Sequence, residues 1–223
     1  DRARQAFEEL CGQNVAAVIG PMTSDMGVVL APLADAAKTL LISPTATTEA
    51  LSGKDDYFFR VTSTTRAYAS RSATYHLRSG SMRAVAAAYD VGNKSFCLNW
   101  LKNFEHTFSA GGGQIVGVIG FQPHSGRTFL DIARELLAAK PDGILIVANS
   151  MDSALLCQQI RKLDVALPIT LADWGATERL LELGGEAIEG VTVVQTFDRD
   201  SQAARYQAFR NAYRERYHRE PGF

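Results

Sequence analysis

The chain has 223 residues, 46% of them hydrophobic and 21% charged, with a formal net charge of −1. That length suffices for one large domain or two small lobes with a buried core. The near-neutral balance speaks against nucleic acid as a partner, and no apolar run approaches the roughly 20 residues of a membrane-spanning helix.

The first residue is Asp1, and the chain opens on an amphipathic stretch with Ala3, Phe7 and Leu10 at helical spacing. Such a start is expected of a piece cut from a longer protein, so a missing leader is uninformative. Two kinds of segment then alternate. Short apolar, β-branched runs at 15–19, 39–42, 84–89, 115–119, 143–147, 168–171 and 191–194 suit strands buried on both faces, as in parallel sheets. Between them, helical periodicity predicts helices over 24–38, 65–78, 94–109, 128–139, 153–163 and 202–217. Turn chemistry closes them at Gly111-Gly112-Gly113, at Lys140-Pro141-Asp142-Gly143 and at Gly184-Gly185. The three cysteines, Cys11, Cys97 and Cys157, match no metal-ligand spacing and are expected as small apolar residues.

Strand–helix alternation predicts an α/β architecture of doubly wound parallel sheets. Two polar crossings, at 62–65 and 196–201, divide the chain into two lobes: residues 1–61 with 197–223, and residues 62–196.

In open α/β sheets, ligands bind beyond the carboxyl ends of the strands. Those ends carry Pro21-Met22-Thr23-Ser24, Pro44-Thr45-Ala46-Thr47, Asp90, Gln122-Pro123-His124, Asn149-Ser150 and Asp173-Trp174. There is no glycine-rich phosphate loop and no basic cluster among them. Ser24 stands where a helix begins, and is expected as its N-cap beside N–H groups that suit a carboxylate. Thr45 and Thr47 offer hydroxyls without net charge, and Asp173 offers an acceptor for an ammonium. The set suits a small zwitterion. Each residue also has a bland explanation. Ser24 is a plain cap in that case, Asp173 caps a helix beginning near Ala176, and Trp174 is core instead of pocket wall. Asp90 suits a turn, and Trp100 the core.

Further residues carry a family resemblance. VIGPMTS (18–24) with ISPTAT (42–47), KDDYFFR (54–60), the Tyr89-Asp90 strand end, Phe197-Asp198 and the YRERY helix end (213–217) followed by Arg219-Glu220-Pro221 resemble the type I periplasmic binding proteins of the leucine/isoleucine/valine class. The resemblance covers the whole chain in order. It implies two α/β lobes on a hinge that close over a small ligand, often an amino acid, outside the cytoplasm, with a small aromatic acid or amide as the alternative ligand. By position it implies that Ser24 holds the ligand carboxylate, that Thr45 and Thr47 hold its carboxylate and amino group, and that Asp173 meets the amino group. Asn149 falls where some members place an aromatic pocket residue. The implied partner is an ABC-transporter permease or, alternatively, a receptor signalling module, with no cofactor.

Two departures stand out. Asn93-Lys94-Ser95-Phe96 replaces a Tyr-Gly pair, and the family's first strand and helix and its last elements are missing. The first lobe is therefore expected to be incomplete, with an unpaired strand edge that favours a dimer. Enzyme chemistry is disfavoured: His76, His106, His124 and His218 pair with no cysteine or acid at a catalytic spacing. No G-x-S-x-G elbow or dinucleotide fingerprint occurs. His124 alone lies near a strand end, where with Gln122 and Ser125 it is a candidate ligand contact, the plainer reading being a solvated loop histidine.

Overall fold

The computed structural model describes residues 2–122 and 125–222. His124 therefore lies outside the described residues. Among them the chain forms eight strands and eight helices in two separate parallel sheets.

The first sheet is small. After α1 (Arg2–Gly12) come β1 (Ala17–Ile19), α2 (Ser24–Ala37), β2 (Leu40–Ser43) and β3 (Phe58–Arg60), with strand order β1-β2-β3. β3 has no counterpart among the predicted strands. Three residues behind an acidic run are too short to show period-2 alternation. Register places Val18 beside Leu41 and Leu41 beside Phe58, and these face α1 and α2, where they meet Phe7, Leu30, Ala31 and Ala34. The next row, Ile19–Ile42–Phe59, faces the other way, with Ile19 83% and Phe59 55% exposed. Among the described residues strand β1 pairs only with β2, and its outer edge carries no partner.

The second sheet comprises β4 (Ala84–Asp90), β5 (Gln114–Phe121), β6 (Gly143–Val147), β7 (Ile169–Leu171) and β8 (Thr192–Val193), in the order β5-β4-β6-β7-β8. Its helices are α3 (Thr65–Ser79), α4 (Lys94–Ala110), α5 (Phe129–Ala138), α6 (Ser150–Leu163) and α7 (Glu178–Gly184). Alternation along the strands feeds two cores. Val85, Ala87, Leu145 and Val147 pack against α3 and α4, while Ala86, Ala88, Ile144 and Ile146 pack against α5 and α6. On the first of these faces Ala87 leaves room that α4 fills with a strict i+4 stripe. Phe96, Trp100, Phe104 and Phe108 are buried, with ring centroids 5.6 Å apart for Trp100–Phe104 and 5.1 Å for Phe104–Phe108.

Cys97 and Cys157 are buried in these cores, as the apolar reading expects; burial pushes the Cys157 thiol up to about 12. The last helix, α8 (Ala204–Tyr217), buries none of its side chains. Its aromatic ladder of Phe209, Tyr213 and Tyr217 runs along the helix, and Arg210 pairs with Glu220 at 2.8 Å.

Candidate functional site

Parallel pairing brings the carboxyl ends of the strands in each sheet to one rim. In the first sheet that rim consists of two loops, 20–24 and 43–48, joined by hydroxyl groups. Ser43, the last residue of β2, donates from Oγ to Pro21 O at 2.7 Å and accepts from Ala46 N at 2.9 Å and Thr45 N at 3.3 Å. Thr45 Oγ1 donates to Met22 O at 2.7 Å. Ser24 Oγ accepts from Thr48 N at 3.2 Å, and Thr47 Oγ1 accepts from Thr65 Oγ1 at 3.0 Å.

Ser24 is not the N-cap of α2. Thr23 is: its backbone is extended (φ −113°, ψ 152°) and its side chain accepts from Met26 N at 3.3 Å, leaving Ser24 one residue inside the helix. The hydroxyls thus build the rim rather than project from it, and only Thr45 of the three predicted contacts is exposed. What the rim presents is backbone. Among the described residues, the N–H groups of Ser24 and Thr47 have no acceptor. Behind it, Arg60 donates from Nη1 to Thr48 O at 2.9 Å and Ala46 O at 3.3 Å. Burial lowers the Arg60 pKa and Glu49 opposes that shift, so a partly desolvated cation backs the shelf. Arg60 was visible in the KDDYFFR stretch, but nothing in the sequence tied it to the hydroxyl loop.

The rim of the second sheet holds the acids. Asp90 accepts from Gly92 N at 2.7 Å and caps the turn at 91–93, the turn role expected of it. Asn149 caps α6, accepting from Asp152 N at 3.0 Å and donating to Asp152 Oδ2 at 2.6 Å. Asp173 is buried, and its Oδ1 accepts from Trp100 Nε1 at 2.9 Å. It does not cap the following helix, because α7 starts after Thr177. Burial pushes the Asp173 carboxyl up to about 6, with the indole donor pulling the other way. Trp174 is half-buried and stands edge-on to Phe96 at 5.7 Å, so it is both a core neighbour and a partly open wall.

Helix α4 joins the two rims. Asp25 N donates to Asn93 Oδ1 at 3.2 Å, and Asp25 Oδ1 accepts from Ser95 N at 2.9 Å and from Ser95 Oγ. Glu49 N donates to Asn99 Oδ1 at 3.2 Å, while Glu49 Oε2 accepts from Asn103 Nδ2 at 2.8 Å. Arg66 of α3 completes that cluster at 2.7 Å from Glu49 Oε1. Ser95, Asn99 and Asn103 recur every four residues beside the aromatic stripe. That polar spacing was a readable signal for a second contact face.

Two open concavities lie elsewhere. One of about 590 Å³ is lined by α3 and residues 195–200, and one of about 400 Å³ by Ser72, Tyr75, His76, Thr170 and Thr192. Ser72 Oγ is buried there without a partner among the described residues. Among the described residues no cluster of three or more His, Cys, Asp or Glu side chains is placed to hold a metal. No helix among them is long and apolar enough to cross a membrane.

The fold recurs in solved structures. A leucine-binding protein, LivK, from Thermotoga maritima superposes with a TM-score of 0.90 at 23% identity, covering 99% of this chain and 62% of that one. The substrate-binding protein LivJ of a branched-chain amino acid transporter from Streptococcus pneumoniae, in complex with isoleucine, gives 0.86 at 24% identity, covering 99% and 63%. A solute-binding protein of an ABC transporter from R. palustris, in complex with benzoate, gives 0.87 at 16% identity, covering 99% and 61%. The chain therefore spans just over three-fifths of the length of these structures. No curated protein sequence matches it. The model of the periplasmic binding protein family matches residues 1–222, so the chain belongs to that family.

Proposed function

We propose that this protein captures a small ligand, an amino acid, between its two lobes outside the cytoplasm and delivers it to an ABC-transporter permease. One lobe comprises residues 1–61 with 197–223 and the other residues 62–196. The observation that carries this reading is the pair of unpartnered N–H groups on Ser24 and Thr47. They sit on a neutral hydroxyl shelf backed by the Arg60 guanidinium, a setting that favours a carboxylate. Thr45 adds an exposed hydroxyl, Asp173 takes the ammonium, and Trp174 with Asn149 borders the side chain. None of these groups forms a nucleophile–base pair, and binding without chemistry is their role.

A second ligand class has its own support. Burial leaves the Asp173 carboxyl near 6, so it loses its charge in mildly acidic surroundings and then tolerates a ligand without an ammonium, such as an aromatic acid. A signalling receptor could use the same pocket as a sensor. The test is isothermal titration with L-isoleucine and with benzoate, on the wild type and on Asp173→Asn. For the amino-acid ligand the variant weakens L-isoleucine by roughly tenfold or more, the loss of one charged hydrogen bond. Unchanged L-isoleucine affinity would remove Asp173 from the pocket, and binding of benzoate alone would establish the second class.

The unpaired outer edge of β1 offers a strand-pairing surface to a second copy. Light scattering at rising concentration should show a dimer, and a monodisperse monomer throughout refutes it.

A further inference from the structure

The first turns of α2 and α4 meet across the boundary between the two sheets, and each is capped by the other. The side chain of Asn93 takes the N–H of Asp25 in α2. The side chain of Asp25 takes the N–H and hydroxyl of Ser95 in α4. Each helix end carries about half a positive charge, so two of them brought together repel. One carboxylate placed between them balances both. Asp25 is in the first turn of α2, where any acid is favourable, but its hydrogen bonds go to the other helix.

From this geometry we propose that Asp25 is a positioning residue that fixes the separation of the two lobes before ligand arrives. Its immediate neighbour Ser24 belongs to the carboxylate shelf. The helix it grips, α4, carries Trp100, whose indole holds Asp173. One connected path from shelf to acid therefore runs Ser24, Asp25, Ser95, Trp100, Asp173. The Glu49 cluster with Asn99, Asn103 and Arg66 ties the same helix to the end of the hydroxyl loop one turn further on. A cleft set in this way is already spaced for its ligand, which raises the population of the binding-competent state.

The capping itself stands on the contacts above. Its effect on a ligand rests on the preceding assignment of Ser24, Thr47 and Asp173 as ligand contacts, and the experiment separates the two. Amide hydrogen exchange is measured first on the ligand-free protein for wild type, Asp25→Asn, Ser95→Ala and, as a control on the same helix, Asp35→Asn. Asp25→Asn should speed exchange roughly tenfold in the first turns of both α2 and α4, and Ser95→Ala should do the same at both ends. Asp35→Asn should leave α4 unchanged. Faster exchange confined to α2 in Asp25→Asn overturns the proposal, because the carboxylate then serves only its own helix.

L-isoleucine is titrated next. Where the exchange data show that Asp25 couples α2 to α4, Asp25→Asn should weaken L-isoleucine binding several-fold without touching a ligand contact. Unchanged affinity overturns the positioning role. If the wild type itself binds no L-isoleucine, the amino-acid assignment fails, and the exchange data alone still decide whether Asp25 holds the lobes.

Discussion

Replacing Asp173 with asparagine should stabilise the protein at pH 8 relative to pH 4, because it removes a buried negative charge while keeping the hydrogen bond that holds it. Asparagine Oδ1 can still accept from Trp100 Nε1. In the wild type, burial raises the carboxyl from 3.8 to about 6. The folded state thus holds this proton more tightly than the unfolded one. The group's favourable contribution is complete below pH 3.8 and is lost as pH rises through about 6. Linkage gives an ionisation cost of about 0.6 kcal/mol at pH 4 and about 3 kcal/mol at pH 8. The difference in stability between Asp173→Asn and wild type should therefore move by about 2–2.5 kcal/mol between those pH values, in favour of the variant. For a chain of this size that is about 5–10 °C in Tm. The assay is thermal unfolding by circular dichroism at half-unit pH steps, taking the difference between the two proteins so that all other titrations cancel. Parallel curves, with a constant offset from pH 4 to pH 8, would refute a buried and destabilising carboxylate.

Trp100→Phe should do the opposite: it leaves Asp173 buried without its side-chain donor, so the destabilisation should be larger at pH 8 than at pH 4, with its midpoint above pH 6. Equal losses at both pH values would mean that only packing was removed. Ser43→Ala should cost about 2–3 kcal/mol in urea unfolding, since one hydroxyl serves Pro21 O, Ala46 N and Thr45 N at once. A loss below about 0.5 kcal/mol would show that water substitutes for it.

Legibility in the sequence followed burial. β4 and β6 are covered on both faces, so their apolar runs are continuous and their bounds fall within a residue of those expected. β3 is half exposed and three residues long, and it left no pattern to read. Helix α6 starts at Ser150, three residues before its first expected turn, because the Asn149 cap and the polar Ser150 and Asp152 hide the onset of periodicity. Ser24 and Thr23 are adjacent hydroxyls, serine being the better cap by propensity, and only the backbone angles show that Thr23 takes the position. At the site, the rim residues were legible because strand ends are legible. Their partners were not. The bonds from Thr45 to Met22 and from Thr48 to Ser24 span more than twenty residues and depend on how two loops face each other. The ties from Asp25 and Glu49 to α4 reach from one sheet to the other, and no local rule contains them.

The two sheets are unequally clad. Among the described residues the second is a layer between helices on both sides, with buried residues in two cores, whereas the first has helices on one face and exposes Ile19 and Phe59 on the other. Local opening is easiest where few apolar contacts must break. The hydroxyl shelf therefore rides on the softer half of the molecule and the acid on the harder half. A protease would enter through the 43–57 connection before it reached β4 or β6. A ligand that bridges both halves would lend the first the firmness of the second, and resistance of that connection to cleavage would report occupancy of the cleft.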